Sequence, residues 1–344
     1  MSEWSVGEPR KLTFDTPVRK LQVRIVSGTV NVVGTDESST RLEISRIDGP
    51  PLIVTEHNGT LTVAYEDLPW KSFLRWLDRK GWQRSAVVSL AVPAGTRVEV
   101  GVVSASAVVS GIEGRAEVKG VSGDATLVGL TGPVRADTVS GSLDAQALSG
   151  DLRFNSVSGD LTVVEAGSSV KADSVSGSMI VDLDPTSRPT DISLASVSGE
   201  IAIRLPHPAD AEVEANTASG QVSNAFEDLR VGGQWGAKRI TGRLGAGNGR
   251  LKATTVSGSI ALLRRPPTEE DTAEPQNEPP QNESPRDESR RDNSPRDNSP
   301  RDNSPRDDSP QDTSGATTRE NAASGQDTGD NTGPADGTTD KKVL

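Results

Sequence analysis

Side chains suited to nucleophilic or acid–base catalysis are few in this sequence. It holds no cysteine and two histidines, His57 in a His-Asn-Gly turn and His207 between two prolines. Neither histidine has an evident orienting partner in the sequence, and a serine or water nucleophile needs a base that is itself held in position. The many serines lie in repeated turns, where local hydrogen bonds account for them. We therefore expect no catalytic residue, no cofactor and no enzymatic activity.

Carboxylates are more numerous, and several recur at equivalent positions of a repeat. Three follow a glycine directly and two lie at the sixth position of a repeat unit; they are Asp124, Asp151, Asp160, Asp137 and Asp173. In stacked coils Ser142 and Asn155 would interrupt these columns, so no continuous acidic ladder is expected. The Ser-Gly-Asp/Ser turns also lack the Gly-Gly-x-Gly-x-Asp motif of calcium-binding rolls. We expect solvated surface charge and no metal site.

A third candidate is an aromatic and basic stretch, EDLPWKSFLRWLDRKGWQR, at residues 66–84. Its spacing predicts a short amphipathic helix over residues 69–81, with Pro69 in the first turn and Gly81 at the end. The candidate interaction surface on this helix comprises Trp70, Phe73, Arg75, Trp76 and Arg79. Two interpretations stay open: the helix covers the end or flank of the fold, or it contacts an anionic membrane surface or a partner.

The element that must position these residues is a nine-residue unit, repeated ten times without a gap from Thr96 to Pro185. Its third, fifth and eighth positions hold 29 apolar residues in 30 places, with Asp184 the exception, whereas the other 60 places hold eight. Such a period determines the fold before any motif does.

Positions three and five lie on one side of a strand, and a Val-Ser-Gly turn recurs every eighteen residues, at Gly123, Gly141, Gly159 and Gly177. The pattern predicts an all-β fold, a β-solenoid (parallel β-helix or roll) of nine-residue half-coils. In it the eighth residue enters the interior, glycine supplies positive φ at the corner, and a column of serines forms mutual or backbone hydrogen bonds.

Charge divides the chain into two parts. Residues 266–344 carry 19 acidic and 9 basic side chains, a net of −10 out of −12, together with SPRDN-type repeats and no aromatic residue. We expect a disordered acidic tail there, and a solenoid domain at 1–265 with a non-repeat insertion at 36–95. A solubilising role is the simpler interpretation of the tail, and a partner-binding segment is the alternative.

The N-terminal segment, the apolar runs and the charge distribution bear on the cellular location of the protein and on the kind of molecule that it binds. The N-terminus MSEWSVGEPR has no apolar signal region, and no run approaches the ~20 apolar residues of a membrane helix. We expect a cytoplasmic protein, with peripheral membrane contact as the alternative. The near-neutral body and acidic tail argue against nucleic acid.

The lead-in Val92-Pro-Ala-Gly-Thr96 and the recurrent Val-Ser-Gly-Asp/Ser-Leu units resemble a bacterial domain-of-unknown-function family. It is a family of β-strand-repeat proteins labelled "putative adhesin", and the resemblance covers about Leu21 to Leu263, with residue usage of actinobacterial type. The resemblance brings no catalytic residues and implies an adhesin-like role linked to the cell envelope. The expected function is a non-catalytic scaffold for a protein or envelope partner. Alternatives are a self-assembling cytoplasmic structural protein, which would be a homo-oligomer, and a carbohydrate-active β-helix enzyme.

Overall fold

The computed structural model describes residues 2–66, 84–184, 191–234 and 236–265. Within these ranges the chain forms 24 strands and no helix. The strands are β1 (Ser2–Val6), β2 (Arg10–Phe14), β3 (Lys20–Thr35), β4 (Thr40–Asp48), β5 (Leu52–His57), β6 (Thr60–Ala64), β7 (Ser85–Pro93), β8 (Arg97–Ser110), β9 (Ala116–Gly120), β10 (Ala125–Val128), β11 (Val134–Asp137), β12 (Leu143–Leu148), β13 (Leu152–Ser156), β14 (Leu161–Ala166), β15 (Val170–Ser174), β16 (Met179–Leu183), β17 (Asp191–Ser196), β18 (Ile201–Leu205), β19 (Ala211–Thr217), β20 (Val222–Asn224), β21 (Leu229–Gln234), β22 (Ala237–Leu244), β23 (Gly249–Thr255) and β24 (Ile260–Arg264). The predicted helix and tail lie outside the described residues, and the division into a body and a tail stays a prediction.

From β8 to β18, successive strands alternate between two parallel sheets, so two strands and two corners make one coil. Sheet I contains the first half of β8, then β9, β11, β13, β15 and β17. Sheet II contains the second half of β8, then β10, β12, β14, β16 and β18. Leu143 pairs with Leu161 across one coil, which confirms the eighteen-residue repeat. The fold is an all-β solenoid.

The interior between the two sheets consists of the third and fifth positions of each unit. Leu143, Ala145, Leu161 and Val163 are at most 3% exposed. Alternate residues of a strand face the same side, so each short strand contributes two side chains to the interior. Burial of each stabilises the fold by about 1–2 kcal/mol before the cost in chain entropy. The prediction for these two columns is confirmed.

The eighth position behaves differently at the two corners of the coil, and here the prediction is half wrong. At the corner that leads from sheet II to sheet I, Ile112, Leu130, Leu148 and Ala166 are buried. At the Val-Ser-Gly corner, which leads from sheet I to sheet II, Val157 is 51% exposed. There the seventh residue, a serine or threonine, lies inside instead, as Ser156 does at 9% exposure.

The glycines of the Val-Ser-Gly corner are required for a reason other than positive φ, which corrects a second prediction. Gly123, Gly141, Gly159 and Gly177 do not have positive φ. A Cβ added to Gly159 would lie 2.1 Å from the carbonyl oxygen of Gly141 in the adjacent coil. The coils therefore stack too closely at this corner for any side chain.

The N-terminal end of the solenoid changes from parallel to antiparallel pairing. β3 pairs with both halves of β8, and on its other side it pairs in parallel with β6 and β7. β5 and β1 then extend sheet I antiparallel, and β4 and β2 extend sheet II in the same way. The expected insertion at 36–95 thus supplies one further coil and part of an end cap. Trp4 and Phe14 meet edge to face across this cap, with ring centroids 5.3 Å apart.

The C-terminal end departs from chain order. β23 pairs with β17 and β24 pairs with β18, so the last coil of the sequence stacks directly on the coil of β17 and β18. The earlier strands β19 and β20 lie beyond it, on the outer sides of β23 and β24. β22 and then β21 close sheet I in antiparallel pairing. Phe226 is buried here, at 5% exposure.

Candidate interaction surfaces

The predicted interaction surface cannot be located from the described part of the chain. Trp70, Phe73, Arg75, Trp76 and Arg79 all lie between residues 67 and 83, outside the described residues. The described chain on either side belongs to the N-terminal coil. Tyr65 follows β6 and is 2% exposed. Arg84 precedes β7, and its guanidinium carbon lies 5.5 Å from the centroid of the Tyr65 ring. Burial raises the pKa of Tyr65, against the opposing effect of Arg84.

The residues considered for catalysis or metal binding do not come together. His57 and His207 are both exposed, and the His57 ring contacts its neighbour Asn58 at 3.0 Å. The Asp124 and Asp160 carboxylates each accept a backbone N–H from the next coil, from Ser142 and Ser178. Asp137 pairs with Arg135 and accepts a hydrogen bond from Asn155. Among the described residues, no group of three His, Cys, Asp or Glu could hold a metal ion.

The Val-Ser-Gly corner instead presents an apolar row to solvent. On five successive coils the valine is between 36% and 51% exposed; this valine row comprises Val139, Val157, Val175, Val197 and Val256. Adjacent strands lie ~4.8 Å apart, so the row is ~19 Å long. The sequence pattern detects these residues as apolar but assigns them to the interior. The signal that could have revealed them is the serine or threonine directly before each valine.

Two sets of hydroxyl groups hold this corner in place. Inside, the Oγ of Ser156 accepts the backbone N–H of Gly159 at 2.7 Å, and Ser196 and Gly199 form the equivalent bond at 2.9 Å. Outside, the Oγ of Ser158 donates to the Val139 carbonyl of the adjacent coil at 3.3 Å, and the backbone N–H of Ser158 donates to the same oxygen at 2.8 Å. The predicted serine column with backbone hydrogen bonds is confirmed. These bonds hold the backbone of the corner, and so fix the spacing of the valine row.

The outer sides of the two sheets differ in charge. Sheet I carries rows of charged side chains in register, such as Arg135, Arg153 and Lys171 on consecutive coils. Sheet II exposes apolar side chains among threonines and serines; Val128, Val164 and Ile180 are 37%, 37% and 45% exposed. Sheet II is the less charged of the two, although Asp144, Asp182 and Arg204 lie on its outer side.

A buried carboxylate joins the first coil to the repeats. Glu99 of β8 points out of sheet I, yet it is 3% exposed. Its oxygens accept from Gln22 Nε2 at 2.7 Å, Lys20 Nζ at 3.0 Å and Arg97 Nη at 2.9 Å. Burial alone would raise the pKa of Glu99, but the hydrogen bonds from Gln22 and Lys20, with the charges of Lys20 and Arg97, lower it overall. This network stabilises the pairing of β3 with β8.

Comparison with known proteins gives a family and distant similarity to solved structures. A family model described as Toastrack DUF4097 matches residues 18–263. A crystal structure of a Clostridium sporogenes protein, described as a "putative cell adhesion protein", aligns with 10% identity over 75% of this chain and 100% of its own, at a TM-score of 0.20. No curated protein matches the chain. In the part that the structure describes, no helix could span a membrane.

Proposed function

The chain belongs to the Toastrack DUF4097 family of domains of unknown function, and from this premise we propose that it is a non-catalytic scaffold that binds a protein partner along the valine row. The row carries the proposal because the repeat itself does not need apolar side chains there. The valines point to solvent, whereas the eighth residues of the other corner are buried. An apolar, uncharged strip with fixed spacing suits the apolar side chains of an extended protein segment.

Attachment to the cell envelope is the second part of this proposal. It draws on the resemblance to the adhesin-labelled family, and it requires the partner to be an envelope protein. End-to-end polymerisation has less support, since antiparallel strands extend both sheets at the N-terminal end and sheet I at the C-terminal end, where the short strand β20 ends sheet II in parallel pairing.

Co-purification with matched variants tests the proposal. Tagged full-length protein is recovered from the cells that produce it, beside a row variant with Val139, Val157, Val175, Val197 and Val256 replaced by Ser. We expect a specific partner to be lost from the row variant. A control with Val128→Ser, Val164→Ser, Ile180→Ser and Leu263→Ser alters sheet II and should retain the partner. Recovery of the same proteins with the row variant would contradict the proposed surface, provided that circular dichroism shows the variant folded.

A further inference from the structure

A cationic concavity lies at the C-terminal end of sheet I, on the outer side of β19, β22 and β23. Its volume is about 710 Å³. Its charged lining residues are Arg239, Arg243, Arg250, Lys252, Glu212 and Glu214. The strand order explains why they meet, because β23 pairs with β19 although about forty residues separate them in the chain.

Positive charge is in excess in this concavity. Glu214 accepts hydrogen bonds from Asn216 at 3.2 Å and from Arg239 at 2.6 Å, which lower its pKa and keep it ionised. Glu212 lies in register between Arg250 and Arg243. Among the described residues, Arg243, Arg250 and Lys252 form no ion pair within 4.0 Å. The lining residues alone thus carry four cations and two carboxylates, whereas the carboxylates of Asp191, in register with Arg250, and of Asp210 lie just outside them.

The turn beside the concavity is held firmly. The Asp210 carboxylate accepts the backbone N–H groups of Gly247 at 2.6 Å and Asn248 at 3.0 Å, and the Asn248 side-chain amide at 2.7 Å. The bonds from Asn248, and that from Gly247, lower the pKa of Asp210, so it stays ionised. The aliphatic part of Arg243 lies against Gly247, where an added Cβ would be 2.8 Å from its Cδ. At least one cation of the concavity is therefore supported by a fixed turn.

The chain itself carries an acidic segment directly after Arg265, the last described residue. Residues 266–285 contain six carboxylates and no lysine or arginine, with Glu269, Glu270 and Asp271 consecutive. The preceding residue, Arg265, donates its backbone N–H to the Leu205 carbonyl at 2.8 Å. From Leu205, the five residues 206–210 are enough to reach Ala211, next to Glu212 in the concavity. Since Arg265 is bonded to Leu205, five residues after Arg265, which end at Glu270, are long enough to cover the same distance.

We propose that the acidic stretch 269–274 binds the cationic concavity of its own chain. Carboxylates placed among Arg243, Arg250 and Lys252 would neutralise the excess positive charge. A short tether gives a millimolar effective concentration, so weak ionic contacts suffice. The segment then excludes other acidic peptides from this surface. This inference concerns a different surface from the valine row, and the two proposals can fail separately.

Photo-crosslinking in the full-length chain tests the contact directly. A benzoylphenylalanine replaces Thr268, and the crosslinked peptides are identified by mass spectrometry. We expect crosslinks within a single chain to residues 237–252, with a yield that falls as salt is raised to about 0.5 M, where charges are screened within ~4 Å. Crosslinks to other regions, crosslinks between two chains, or no crosslinks would overturn the proposal.

Competition by an added peptide tests the consequence. A labelled peptide of residues 266–276 is titrated against wild type and against the full chain with Glu269→Gln, Glu270→Gln, Asp271→Asn and Glu274→Gln. The neutralised chain should bind the peptide at least tenfold more tightly, because its own segment no longer occupies the concavity. Adding Arg243→Ser, Arg250→Ser and Lys252→Ser should abolish this binding.

A control removes the same number of charges from the distal tail, through Asp302→Asn, Asp307→Asn, Asp308→Asn and Asp312→Asn. This control should bind the peptide as weakly as wild type does. Equal affinity of wild type and the neutralised chain, or no binding to either, would overturn the proposal. Partner recovery through the valine row should be the same in all of these variants.

Discussion

The two corners of each coil both carry an apolar eighth residue in the sequence, but they have opposite arrangements in space. At the corner that holds Leu148, the apolar eighth residue fills the interior and the seventh residue has positive φ, as Ala147 does at 53°. At the corner that holds Val157, the hydroxyl of Ser156 is inside and the valine is outside. The first corner is stabilised by apolar burial, and the second by hydrogen bonds and close backbone contact. The second corner is therefore the one whose apolar side chains are available to another molecule.

The largest effect should come from filling the space between stacked backbones. Gly159→Ala places a methyl group 2.1 Å from the Gly141 carbonyl oxygen, which neither backbone can avoid without moving a coil. We expect a loss of at least ~3 kcal/mol in the free energy of unfolding. Urea titration measures it. Gly95→Ala is the control, since nothing lies within 4 Å of its added Cβ, and an equal loss in both would refute close stacking as the cause.

The second prediction compares the two apolar positions directly. Leu148→Ala removes a side chain that is 2% exposed and should cost about 2–3 kcal/mol. Val157→Ala alters one that is 51% exposed and should cost less than about 1 kcal/mol. A charge at Val157, which the sequence pattern predicts to be disruptive, should also be tolerated. Thermal melting followed by circular dichroism checks all three, and equal costs would contradict the difference between the corners.

The third prediction concerns the two hydroxyls of the Val-Ser-Gly corner. Ser156→Ala leaves the Gly159 N–H without its 2.7 Å acceptor inside the fold, and should cost about 1–2 kcal/mol. Ser158→Ala removes an exposed hydrogen bond whose acceptor is also bonded by the backbone, and should cost less than about 0.5 kcal/mol. Hydrogen exchange of the Gly159 amide should accelerate in the first variant and not in the second.

The smallest expected effect is a pH dependence of the folding stability, which arises from Glu99 in the coil at which the repeats begin. Because the pKa of Glu99 is lowered on folding, the unfolded chain binds more protons between the folded and unfolded pKa values, and stability there rises with pH. The contribution of Glu99 is complete above the ordinary glutamate pKa, and it is lost as pH falls through the lowered value. The Glu99→Gln variant lacks this contribution. The difference in melting temperature between wild type and the variant should therefore shrink as the solution is made acidic. A constant difference at all pH values would exclude the carboxylate as the source.

Much of the fold follows from residue spacing, because a strand places alternate residues on one side. Leu143 and Leu161, eighteen residues apart, are paired and buried as the repeat predicts. Hydrophobicity alone could not place Val157, since it does not tell which side of a corner a residue occupies; the serine before it is the signal that distinguishes this corner. The concavity of Arg243 and Arg250 was also inaccessible to sequence reasoning. It depends on β23 lying between β17 and β19, and no feature of such similar units specifies which of them become neighbours.

The inserted position of β23 and β24 has a consequence for biosynthesis. A ribosome releases these strands after β19 to β22, although their places are between β17 and β19 and between β18 and β20. The coils can form one after another during translation as far as β18, but the C-terminal cap has no platform until the final coil emerges. Completion of the body is thus tied to synthesis of its last strand, and a chain that stops prematurely near residue 248 would lack an internal layer instead of a dispensable end.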